Sequence, residues 1–99
     1  MNLRTKPAFG LFRVNFTDAD REEANAFVDK AIQKDGFKFQ GGLTQRGKPG
    51  TFILEGKDNE AEQTKVAEAK AQGLNARMME PGESYFIGFD KQVVRSENA

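Results

Sequence analysis

Residues 42–49, GLTQRGKP, come within one residue of a phosphate-binding loop. Two glycines enclose four residues and a lysine follows, but Pro49 stands where the chemistry needs a serine or threonine to hold magnesium. Proline offers neither a hydroxyl nor a backbone N–H. The following GTFILEG alternates like a strand, whereas a phosphate site needs a helix N-terminus at that point. A hairpin loop whose glycines permit positive φ is the remaining reading.

Asp18, Asp20, Glu22 and Glu23, with Asp29 at the twelfth place counted from Asp18, outline a calcium loop. Glu23, however, occupies the sixth place, where the sharp turn of such a loop requires glycine. Acidic side chains opening a helix fit better, because they complement its dipole. Glu55, Glu80 and Glu83 are the remaining candidates for carboxylate catalysis, yet their spacing forces no two of them over one pocket. Ser84 and Tyr85 lack a base, since the chain has no histidine, and the absence of cysteine removes thiol chemistry and thiolate metal sites. The sequence therefore reads as non-enzymatic, without a metal or cofactor.

The elements that would position these residues form one domain of 99 residues, its core built mainly from nine phenylalanines. Phe12, Val14 and Phe16 alternate with polar neighbours, so the first strand is expected over 9–16. Thr17 is a candidate cap for a first helix with the stripe Ala24, Phe27, Val28, Ala31 and Ile32, ending at Gly36. Phe37 and Phe39 mark a short second strand, and Phe52 and Leu54 a third. Asp58 caps a second, shorter helix, with Ala61, Thr64, Ala67, Ala71 and Leu74 on the inner face and Gly73 closing it. A fourth strand over 76–79, a tight turn at Glu80-Pro81-Gly82-Glu83 and a fifth strand over 85–89 complete the plan. Two strand–helix–strand units of this kind close most simply as an α+β ferredoxin-like βαββαβ sandwich, with a C-terminal strand added. The ordered core is expected over 9–91, with a flexible arm at 1–8 and a tail at 92–99.

Net charge is zero, but basic residues gather in two acid-free stretches, Arg4, Lys6 and Arg13 in 1–17 and Lys38, Arg46 and Lys48 in 36–54. The order of strands and helices is similar to that of RNA-recognition domains, whose aromatic motifs fall where LFRVNF and KPGTFILE stand. The phase differs. Phe12, Val14, Phe16, Phe52 and Leu54 are needed for the core, which leaves Arg13, Asn15, Lys38, Gln40, Thr51, Ile53, Glu55 and Arg77 on the open sheet face. That face is mildly basic and lacks stacking rings. GFKFQ and GLNARMM are similar in periodicity to the cell-wall-binding SPOR domains, but share no diagnostic residue with them.

The leading expectation is a small binding or regulatory module acting through a protein partner, with Leu43, Gln45, Arg46 and Lys48 as the contact loop. The second is single-stranded nucleic-acid binding through Arg13, Lys38, Arg46, Lys48 and Arg77. Self-association through the edge of the second strand is a further route. MNLRTKPAFGLF lacks the apolar core of a signal peptide, and no run approaches the roughly 20 apolar residues of a membrane span, so a cytoplasmic location is expected. A phage or mobile-element accessory protein is an expectation by type, which no residue carries.

Overall fold

The computed structural model describes residues 5–44 and 47–87. They form an α+β protein in the order β1 (Thr5–Pro7), β2 (Phe12–Phe16), α1 (Arg21–Gln33), β3 (Lys38–Leu43), β4 (Gly50–Glu55), α2 (Asn59–Ala71), β5 (Asn75–Met78) and β6 (Ser84–Phe86). Four strands make one antiparallel sheet in the order β3-β4-β2-β5, and β1 pairs with β6 in a separate antiparallel ribbon.

The main core lies between the sheet and the helices. Period-two alternation sends Phe12, Val14, Phe16, Phe52 and Leu54 inward, where they meet Ala24, Phe27, Val28 and Ala31 of α1. The rings interlock: Phe16 stacks on Phe52 at 5.0 Å between centroids, and Phe37 meets Phe12 edge-on at 5.7 Å. Phe37 precedes β3, but it is buried as the alternation requires.

Both helices have 13 residues, so α2 is not the shorter one. Asp58 caps α2 by accepting the Ala61 N–H at 2.8 Å. Its end is a Schellman turn: Gly73 takes φ +87°, and the Leu74 N–H reaches the Ala69 carbonyl at 3.0 Å. The cap residue of α1 is Asp20 rather than Thr17, and the Asp20 carboxylate accepts from the Thr17 N–H at 2.6 Å instead of from the helix.

The buried face of α2 is rotated from the alanine stripe. Glu62, Lys65, Val66 and Ala69 are buried, whereas Thr64, Ala67 and Ala71 are exposed. Partners explain the two charged residues. Glu62 accepts the Gly56 N–H at 2.8 Å, and Lys65 Nζ contacts Asp35 at 2.7 Å and Glu68 at 2.8 Å while standing over the Phe27 and Phe37 rings.

The largest departure concerns the two ends of the domain. Of residues 5–8, expected in a flexible arm, Thr5–Pro7 form β1 and Ala8 is buried; β2 begins only at Phe12, and Phe9 is 68% exposed beside a bend at Gly10. The C-terminal strand joins β1 instead of the main sheet, its register running from Thr5–Phe86 to Pro7–Ser84; the expected strand end at 88–89 and the tail lie outside the described residues. The turn before it forms as read, with Gly82 at φ +84° and the Glu83 N–H on the Glu80 carbonyl. The ribbon lies over the far face of the sheet, where Ala8, Leu11, Ile53, Met79 and Tyr85 make a second, smaller core. Ile53, expected in the open, is wholly buried there. Gly41 and Gly42 belong to β3 rather than to a loop, and an antiparallel bridge between Gly41 and Ile87 ties the ribbon to the outer edge of that strand.

Candidate functional site

The ribbon covers only part of the far sheet face. Across β4, β2 and β5, register places Thr51, Asn15 and Asn75 in one row and Ile53, Arg13 and Arg77 in the next. In the second row Ile53 is buried with Tyr85, whereas Arg77 at the other end keeps 43% of its side chain accessible. The first row stays open, as the floor of a cleft of about 550 Å³. Leu43, Pro49 and Gly50 stand on one side of it, Ser84 and Phe86 of the ribbon on another, and Arg13 at its inner end. Its size is in the range of small-ligand and side-chain pockets.

Electrostatics at the inner end centre on Glu83. Arg77 binds both carboxylate oxygens, Nη1 to Oε1 at 2.9 Å and Nη2 to Oε2 at 2.6 Å, and Arg13 Nη2 lies 3.5 Å from Oε2. The Arg77 hydrogen bond, followed by the Glu80 N–H, pulls the Glu83 carboxyl down from 4.5 to about 2. Arg13 is shifted downward, chiefly because burial removes water from its guanidinium, with Arg77 adding repulsion and Glu83 opposing both. Two buried polar atoms of the cleft residues, Arg13 Nε and Thr51 Oγ1, have no hydrogen-bond partner among the described residues. At the opposite rim Asp20 is held by the N–H and the hydroxyl of Thr17, at 2.6 and 3.0 Å.

Comparison with known proteins returned no matching family model, no matching curated protein and no matching solved structure. The reading of the site therefore rests on its geometry.

The contact-loop residues are split. Leu43 ends β3 and lines the cleft, Lys48 is exposed, and Gln45 and Arg46 lie outside the described residues. The far part of the loop is pinned to the start of α1: the Gly47 N–H donates to Asp18 at 3.2 Å, and Arg21, itself paired with Asp18 at 2.8 Å, donates to the Lys48 carbonyl at 3.1 Å. Among the described residues, the candidate basic side chains do not gather into one surface. Arg13 and Arg77 converge on Glu83, Lys38 stands on the edge strand opposite Glu55, and Lys48 follows the other end of that strand. Among the described residues no group of three or more acidic, histidine or cysteine side chains is placed to hold a metal, and no helix is long and apolar enough to cross a membrane.

Asn75, Ser84 and Phe86 were missed as site residues. Asn75 was legible in principle, since extending the fourth strand by one residue places it beside Asn15. Ser84 and Phe86 reach the cleft only because β6 folds back over the sheet.

Proposed function

We propose that the protein is a non-enzymatic binding or regulatory module that engages a protein partner through the cleft beside the β3–β4 loop. One observation carries this reading: the row Thr51–Asn15–Asn75 lies open beside Leu43, Pro49 and Phe86, next to a partly desolvated guanidinium. Amides and a hydroxyl on a sheet floor suit the peptide groups and side chains of another protein. The order β3-β4-β2-β5, with one helix after β2 and another after β4, supports a ferredoxin-like βαββαβ plan to which the ribbon has been added.

Single-stranded nucleic acid receives less support. A polyanion would meet Asp20 at the rim, an Arg13–Arg77–Glu83 cluster with one net positive charge, and a sheet face roofed by the ribbon where bases would need to stack. Self-pairing through β3 likewise has to displace the Gly41–Ile87 bridge. A cytoplasmic setting and a phage or mobile-element origin stay compatible with this reading without being used by it.

The test is affinity capture from the source cells with mass spectrometry, with and without nuclease. A protein retained after nuclease treatment is the expected result. Titration of labelled single-stranded DNA and RNA at two salt concentrations is the control, and tight binding that weakens steeply with salt would overturn the protein-partner reading.

A further inference from the structure

The inner end of the cleft holds two guanidiniums and one carboxylate. Arg77 occupies both oxygens of Glu83, leaving Arg13 a single contact at 3.5 Å and an Nε–H without an acceptor among the described residues. Only 18% of the Arg13 side chain remains accessible, so water compensates little of its charge. That Nε is itself out of reach of solvent, so a ligand would meet the guanidinium at its terminal Nη groups; a cation with one long ion pair favours an anion there, and a guanidinium matches a planar carboxylate.

The surroundings narrow the ligand further. Of the second row the cleft lining takes in Arg13, but neither Ile53, which is buried with Tyr85, nor Arg77, so the cleft ends at Arg13 and the tip of a ligand is what reaches it. One net positive charge in the Arg13–Arg77–Glu83 cluster suits a monoanion, and Asp20 at the rim disfavours additional negative charge. Leu43, Pro49 and Phe86 supply an apolar wall beside the path, while Asn15 and Asn75 offer donors and acceptors matched to peptide amides.

We infer that the cleft receives a carboxylate borne on an apolar peptide segment, with the carboxylate at Arg13 and the adjoining amides over Asn15 and Asn75. This rests on the protein-partner reading. Because the cleft ends at Arg13, the carboxylate is that of a chain terminus, which needs no room beyond it.

The test is amide-resolved NMR titration of the full chain with three peptides: acetyl-Gly-Gly-Leu with a free C-terminus, the same peptide amidated, and acetyl-Gly-Glu-Leu amidated. The free acid is expected to shift Asn15, Thr51, Asn75 and Ser84 saturably, and to bind about tenfold more tightly than its amide. The glutamyl peptide is expected to bind more weakly than the free acid, and binding as tight would overturn the assignment to a terminus. Equal affinities of acid and amide, shifts confined to another surface, or no saturable shift would overturn the inference. Arg13→Lys keeps the charge and loses the fork, and should weaken the acid about tenfold. Because that residue is largely enclosed, Asn75→Ala, at an exposed position of β5, is the second variant, and unchanged acid affinity there would also count against it. A partner captured equally by wild type and Asn75→Ala, with no peptide bound, would sink this inference and leave the proposed function standing. Saturable acid binding with no captured protein would do the reverse.

Discussion

At the scale of single residues, Glu83 is the point on which the cleft and the ribbon turn meet. Its carboxylate binds Arg77, lies near Arg13 and accepts the Glu80 N–H at 3.0 Å. Its folded-state pKa is depressed from 4.5 to about 2, so the stability it supplies is present above 4.5 and is lost as pH falls toward 2. Glu83→Gln should therefore be less stable than wild type near neutrality and converge with it near pH 2, the gap closing within that window. Solvent screens the exposed side of Arg77, so the loss near neutrality should be about 1–2 kcal/mol. Urea unfolding of both proteins at a series of pH values measures it. A gap that persists unchanged to the acid end would show that Glu83 acts other than through its charge.

Glu62 gives the opposite case of a carboxyl near the core. Burial pushes its pKa up, while the Gly56 N–H that it accepts pulls the other way. The useful part is thus the oxygen acceptor rather than the charge. Glu62→Gln keeps an acceptor and should equal or exceed wild-type stability at neutral pH. Glu62→Ala leaves the Gly56 N–H without this acceptor and should lose about 1–2 kcal/mol. The same urea experiment ranks the three proteins, and a Gln variant as weak as Ala would overturn the argument.

At the scale of elements, the β3–β4 hairpin depends on Gly50. A Cβ there would meet the Leu43 carbonyl oxygen and the Phe16 ring, both packed in place. Gly50→Ala should cost about 1–3 kcal/mol by overpacking, with the amide signals of Leu43 and Phe16 shifted most. Thermal unfolding by circular dichroism gives the first quantity and NMR the second. Elements such as β2, β4 and α1 were legible because large apolar residues at period two or 3.6 admit only one inner face. In α2 the pattern failed, since alanine is compatible with either face and the burial of Glu62 and Lys65 depends on partners outside the helix. The floor of the cleft was legible in the same way as the strands: Arg13, Asn15 and Thr51 fall on the far face by alternation. Its roof was not, because TKP looks like an arm and becomes a strand only against SYF from the other end of the domain.

At the scale of the whole molecule, two cores of unequal size share one sheet. Among the described residues, fourteen buried ones fill the space between the sheet and the helices, and five pack between the ribbon and the far sheet face. A two-stranded ribbon of three-residue strands is marginal by itself, so its order depends on that small second core. Stability is then uneven, and the ribbon should open without the rest of the fold. Tyr85 is 5% exposed and is the largest side chain of the five, so Tyr85→Ala should remove about 3 kcal/mol of packing from the second core while leaving the first intact. Native-state hydrogen exchange separates the two units. In wild type, protected amides of β1 and β6 should exchange through a local opening that responds weakly to urea, and those of Val14 and Leu54 through global unfolding. In Tyr85→Ala the ribbon protection should be lost, with far-ultraviolet circular dichroism still reporting both helices. Because Ser84 and Phe86 wall the cleft, peptide binding should also slow ribbon exchange in wild type. Ribbon and sheet amides exchanging at one common opening energy, with or without peptide, would mean that the two cores unfold together and that the roof of the cleft does not move independently.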